Sequence, residues 1–190
     1  MIFEYKKATQ ALNYFARKNI SHKISKLKVL KLIYLADRFH LRKYGRAITN
    51  DNYVAMQFGP VASTVKDIAE QSRFLDKKIK YYAERYLSQA DSNHDIRSLI
   101  EVDTDVFSET EIEALDLIWK KFSERPRLVD FTHQFPEWKK HESNLNSNMS
   151  LDDFFEPVPQ YIEYCDVPED ILRLNKEHFQ ESRKLDEMWR

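Results

Sequence analysis

Apolar residues recur at helical spacing at Tyr5, Ala8, Leu12 and Phe15, which predicts a first amphipathic helix near residues 4–18. Through residues 25–44 the pattern thickens. Leu27, Leu30, Ile33, Tyr34, Leu35, Phe39 and Leu41 leave only a narrow polar face, the pattern of a central helix packed on several sides. Gly45 follows LRKY, where helices commonly stop on a residue at φ > 0. Beyond it the period changes from helical to two: Val54, Met56 and Phe58 alternate with Tyr53, Ala55 and Gln57, predicting a short strand. Gly59 is expected to end that strand. Pro60 then fits the first position of a helix continued by Val61, Val65 and Ile68.

Leu75, Ile79, Tyr82 and Tyr86 predict a helix near 74–89, and IRSLIEV at 96–102 supplies a second strand. It is expected to pair with the first strand, under helices that cover both. Ser108 and Glu111 stand at capping-box spacing before Ile112, Leu115, Trp119 and Phe122, so a helix opens there. Pro126 starts the next, RLVDFTHQ, and Pro136 interrupts it before EWKKH. The run ESNLNSNMS reads as a polar loop. Asp166, Pro168 and Glu169 then announce a last helix carrying Ile171, Leu174, Phe179, Leu185 and Trp189. The predicted fold is mainly α: a compact helical domain with a small two- or three-stranded antiparallel β element.

Composition narrows the class. A chain of 190 residues with 42% apolar residues, 12 Phe and 10 Tyr has the material for one packed core. Cys165 is the single cysteine, so neither an internal disulfide nor a multi-cysteine metal site holds the fold. The opening MIFEYKKATQALNYF lacks a signal-peptide apolar block, and no apolar run approaches the roughly 20 residues of a membrane span. The expectation is a soluble, cytoplasmic protein without a membrane partner. The net charge of -1 conceals an asymmetry: residues 1–100 carry 19 Lys/Arg and 9 Asp/Glu, residues 101–190 carry 11 and 22. Either the basic half faces nucleic acid or an acidic partner, or the halves neutralise each other within the fold.

No enzyme pattern stands out: the chain has no phosphate-cradling glycine loop, no HExxH, no GxSxG and no paired-cysteine spacing. His94–Asp95 matches the dipeptide of metal-dependent phosphohydrolases, but those need further ligands on helices, and here it lies in a polar stretch before a strand. His133 and His141 are separated by Pro136, which argues for a buried, hydrogen-bonded His133 over a metal ligand. The sequence therefore predicts a protein that is not an enzyme and takes no cofactor or metal. Asp37 is flanked at helical spacing by Leu30, Ile33, Leu41 and Tyr44, which carry it into the interior, where it needs a partner. Arg46, His40, Tyr53 and His133 are the candidates; an acid/base role and a buried polar clamp are the two readings, and the clamp is favoured because no second catalytic group is evident. Lys28, Lys31, Arg38 and Arg42 form a basic stripe on the same helix. It is the candidate partner-binding surface, against the alternative of a merely solvated face.

The stretch KLIYLADRFHLRKYGRAITNDNYVAMQFGPV, followed by SETEIEALDLIWKKF and then THQFPEW, resembles the Panacea domain, also called the SocA-like antitoxin domain, common in bacteria and their phages. The three ordered blocks span roughly residues 5–142. The resemblance implies a compact, mostly helical protein that neutralises a toxin encoded beside it through direct binding. It also implies that Asp37, His40, Gly59, Pro60, His133 and Trp138 are motif positions with architectural roles. Glu137 departs from a common form of the last motif, which has a small residue before the tryptophan. Residues 1–155 are taken as the domain and 156–190 as a C-terminal helical extension packed on it, outside the recognisable blocks and available for partner choice. An adaptor that delivers a bound protein to a protease, and a nucleic-acid-binding regulator using the basic half, are the alternative functions.

Overall fold

The computed structural model describes residues 2–90, 93–158 and 167–189, so Cys165 lies outside the described residues. Helix α1, Tyr5–Lys18, leads through a short strand β1, Lys23–Ser25, into α2, Lys26–Tyr44. The near-continuous apolar pattern of α2 has the predicted consequence: every side chain from Val29 to Arg42 is buried. The helix stops at Gly45, which takes φ +72° and donates its N–H back to the Leu41 carbonyl. Strands β2, Tyr53–Met56, and β3, Gly59–Ala62, follow, then α3, Ser63–Glu70, and α4, Lys77–Tyr86. Strands β4, Leu87–Gln89, and β5, Asp95–Ser98, precede α5, Glu109–Phe122. Two short helices, α6, Leu128–Thr132, and α7, Pro136–Lys139, lead to strand β6, Asn148–Met149, a 3-10 turn over Leu151–Phe155, and α8, Glu169–Met188. No described helix is long and apolar enough to cross a membrane.

The mainly helical class holds, but the strands pair differently from the expectation. The described residues form two three-stranded antiparallel sheets, ordered β1-β5-β4 and β3-β2-β6. The first predicted strand does not meet residues 96–102. It pairs with β3, Met56 opposite Gly59, and with β6, Tyr53 opposite Met149, so part of the polar loop at 142–150 is a strand. The 95–98 segment instead pairs with β1 and β4.

The misplacement turns on Gly59. It does not end a strand before a helix; it takes φ +94° directly after Gln57 and Phe58, neither of which has positive φ, and so closes the β2–β3 hairpin. Pro60 is correspondingly in a strand rather than at a helix start. It is tolerated because β3 is the outer strand of its sheet, where a missing N–H breaks no ladder bond. Helix α3 begins only at Ser63.

Tyr34 of α2 sits at the centre of the core, with Tyr53, Phe135 and Phe154 edge-on at ring centroid distances of 5.8, 5.7 and 5.6 Å. The capping box at the start of α5 forms as the Ser108–Glu111 spacing predicts. Pro136 occupies the first turn of α7. Helix α8 docks through buried Phe179, whose ring lies 5.7 Å from that of Phe155, and through Arg183 on Asp152 at 2.5 Å.

The charge asymmetry is largely consumed inside this arrangement. Lys7 and Arg46 both reach Glu111, Arg17 reaches Glu101, Lys18 reaches Asp116, Lys43 reaches Glu113 and Arg38 reaches Glu137. Each pair joins a cation of the first half to an anion of the second. The exposed ones are individually worth about 0–1 kcal/mol, but together they orient α5 against α1 and α2.

A Cβ added at Gly59 would lie 2.7 Å from Thr132 Oγ1 and 3.2 Å from both His133 Cδ2 and Lys31 Nζ. Gly59→Ala therefore combines a forced left-handed residue with a clash, and is expected to lower the unfolding free energy by about 3 kcal/mol. Urea denaturation checks this; a loss within about 0.5 kcal/mol would show that the hairpin closes without the left-handed residue.

Candidate functional site

The residues singled out from the sequence divide into two groups about α2. One gathers under the β2–β3 hairpin. Lys31 Nζ donates to the Pro60 carbonyl at 2.8 Å, and Gly59 packs against Thr132, His133 and Lys31. Trp138 stacks on His133 at 3.8 Å between ring centroids, 11° from parallel, and donates its Nε1–H to the Met56 carbonyl at 3.1 Å. Lys31, Thr132, His133 and Trp138 thus hold one hairpin onto α2, α6 and α7. His133 is half-buried, and its Nε2 is buried without a hydrogen-bond partner among the described residues, which corrects the expectation of a hydrogen-bonded histidine. Its ring is used for stacking, and burial lowers its pKa.

The other group pins the remaining elements. Asp37 is buried, as its apolar flanks require, and accepts the Ile48 N–H at 2.8 Å, the Thr49 N–H at 3.0 Å, the Thr49 hydroxyl, and the Tyr53 hydroxyl at 2.9 Å. Of the four candidate partners, only Tyr53 bonds to it. An ionised carboxylate offers acceptors only, and four donors surround this one. Burial nevertheless pushes its pKa up to about 6 against their pull. His40 faces elsewhere: Nδ1 lies 2.7 Å from the Arg46 carbonyl and Nε2 3.0 Å from Thr110 Oγ1. A carbonyl only accepts, so Nδ1 carries the proton and Nε2 accepts from Thr110. Burial holds this ring neutral, with its pKa down to about 4.

The proposed basic stripe is not a surface. Lys31, Arg38 and Arg42 are buried, and Lys28 is half-buried. Arg38 Nε donates to Glu137 at 2.5 Å, its guanidinium lies 4.5 Å from the Phe135 ring, and Tyr34 donates to the same carboxylate at 2.5 Å. Glu137, which looked like a departure from a motif, is the counter-ion that allows an arginine in the core. Arg42 donates to the Phe154 and Glu156 carbonyls at 2.9 and 3.0 Å, while its own carbonyl accepts from Asn175 of α8 at 3.0 Å. The spacing does place these cations on one side of α2, but that helix is buried all round from Val29 to Arg42, so its lysines and arginines do not mark a wet face. Lys31 shows the cost most directly, since burial without a carboxylate lowers its pKa to about 7.

Glu137, Thr49, Thr132 and Asn175 escaped the sequence reading. Only Glu137 left a signal, as an acid beside a tryptophan in an otherwise apolar turn. Among the described residues no three His, Cys, Asp or Glu side chains gather as metal ligands. The polar groups of α2 are engaged in joining elements.

The model of the family described as Antitoxin SocA-like, Panacea domain, matches residues 29–139, more than half of the chain. The segment runs from the first turn of α2 to the end of α7 and contains both groups of residues. No curated protein and no solved structure matches the chain.

Asp37 and His40 titrate in opposite senses over one pH window. With its folded pKa raised from 3.8 to about 6, Asp37 holds an extra proton in the folded chain, so its contribution to stability falls as pH rises from about 4 to 6. His40, lowered from 6.5 to about 4, is protonated first in the unfolded chain, so its contribution rises over nearly the same range. Asp37→Asn removes the first term only. The stability of this variant relative to the unsubstituted chain should therefore climb by roughly 3 kcal/mol between pH 4 and 6, at about 1.4 kcal/mol per pKa unit. Parallel curves from chemical denaturation across that range would show that Asp37 does not titrate there.

Proposed function

The chain belongs to the SocA-like antitoxin family defined by the Panacea domain, and on that premise we propose that it is an antitoxin that neutralises a cognate toxin by stoichiometric protein–protein binding. The family match carries the reading. Binding rather than chemistry is supported by the way the polar residues of α2 are used: Asp37, Arg38, His40 and Arg42 each engage backbone or side-chain partners in the interior. A residue so engaged serves the fold first. Neutralisation then falls to the outer surface, where a toxin is masked or distorted. A nucleic-acid regulator has less support, because three of the four residues of its basic stripe are in the core.

Expression of the neighbouring open reading frame alone should arrest growth, and co-expression of this chain should restore it, with both proteins co-eluting as one complex. An innocuous neighbour would contradict the reading. So would restoration without a complex, which would point to an adaptor or a regulator.

A further inference from the structure

Outside the buried network, a cleft of about 890 Å³ opens between the start of α2 and the tip of the β2–β3 hairpin. Leu30, Met56 and Val61 lie along it. Leu27, Phe58 and Leu145 stand at its edges, 43%, 57% and 38% exposed. A second cleft, about 440 Å³, lies alongside and shares Ser25, Leu27 and Lys31 with the first. Large apolar side chains brought together around a concave surface mark an interaction site more strongly than scattered ones.

The charge on this surface is one-sided. The first cleft is lined by Lys26, Lys31 and Lys66 against Glu70, and Lys66 already engages Glu70 at 2.7 Å. The second has Lys28, Lys31, Arg125 and Arg127 against Glu124, and Arg127 engages Asp130 at 2.8 Å. Lys26, Lys28 and Lys31 form no ion pair among the described residues; the side chains of Lys26 and Lys31 donate to the carbonyls of Asn93 and Pro60, with Glu70 and Asp95 attracting Lys26 from a distance. The first turn of α2 holds no acid, so the positive end of a 19-residue helix adds to the lysines instead of offsetting them. A ligand that brings a carboxylate to this face gains an electrostatic match and covers apolar surface at once.

We propose that the paired clefts flanking Leu27 are the toxin-binding surface, and that they receive an apolar segment of the toxin that bears at least one carboxylate. The assignment rests on the antitoxin reading and adds to it a surface and a partner chemistry. A protein segment fits better than a nucleic acid because apolar side chains line the first cleft, and a phosphate backbone gains nothing from Leu27, Phe58 or Leu145. Phe58 is the natural anchor: the left-handed turn at Gly59 fixes the hairpin that presents it, and the Lys31, His133 and Trp138 cluster fixes the hairpin to the core.

The test uses the full chain with the protein encoded by the neighbouring open reading frame as the probe. Phe58→Glu and Leu145→Glu each place an acid on the cleft edge at an exposed position. Phe74→Glu does the same at an 80% exposed phenylalanine outside both clefts. The two cleft variants should each weaken the complex at least about tenfold and lose growth rescue, with melting temperatures within about 2 °C of the unsubstituted chain. Phe74→Glu should leave binding and rescue intact. Lys28→Glu should weaken the complex more than Lys28→Gln, and the difference should shrink in high salt. Full affinity in both cleft variants would overturn the surface while leaving the antitoxin reading in place. Binding of duplex DNA that Phe58→Glu abolishes, or a homodimer that it dissolves, with toxin binding unchanged, would overturn the choice of occupant. The absence of any complex with the unsubstituted chain would remove the antitoxin premise, and the assignment with it.

Discussion

Everything in this fold depends on one requirement: polar groups that α2 carries into the interior must find partners there. A helix apolar on nearly every side is easily buried, but α2 also takes Lys31, Asp37, Arg38, His40 and Arg42 with it. Each would cost several kcal/mol if left bare. The chain meets this by bringing a different segment to each. Pro60 of β3 comes to Lys31, the 48–53 segment to Asp37, Glu137 of α7 to Arg38, Arg46 and Thr110 to His40, and the Leu151–Phe155 turn to Arg42. The buried polar atoms thus act as addresses. They fix which loop lies where, a task that non-directional apolar contact does poorly.

The same requirement explains which features were readable in advance. The helices were legible because their signals are local: apolar spacing for α1 and α2, Gly45 for the end of α2, Ser108 with Glu111 for the start of α5 and Pro136 for α7. Burial of Asp37 was legible for the same reason, since its flanks are on its own helix. Its partners were less so. Two of its four donors are backbone N–H groups of Ile48 and Thr49, and no side-chain pattern announces those. Strand pairing failed at Gly59 because Gly-Pro is compatible with both a helix start and the end of a hairpin turn. The deciding contacts, to Thr132 and His133, come from more than seventy positions away.

The basic stripe is the instructive error in the functional site. Its spacing places four cations on α2, and on an amphipathic helix that face would be wet. Here α3, α5, α6 and α8 surround the helix, so Lys31, Arg38 and Arg42 are inside, where Glu137 meets Arg38 and backbone carbonyls meet Arg42 and Lys31. Beside the cross-half ion pairs, Lys26, Lys28 and Arg125 at the first turns of α2 and the nearby α5–α6 connection line the two clefts. Interior order and an outward-facing surface are consequently linked: the Lys31, Gly59 and Trp138 contacts that close the hairpin also determine where Phe58 stands.

The central claim is that Asp37 locks an irregular segment to α2 as firmly as a regular element. Native-state hydrogen exchange of the Ile48 and Thr49 amides measures this directly. If the account is right, these two amides open only with global unfolding and share the exchange free energy of the slowest α2 amides. Exchange at the rate of an ordinary exposed loop, while α2 stays protected, would contradict it.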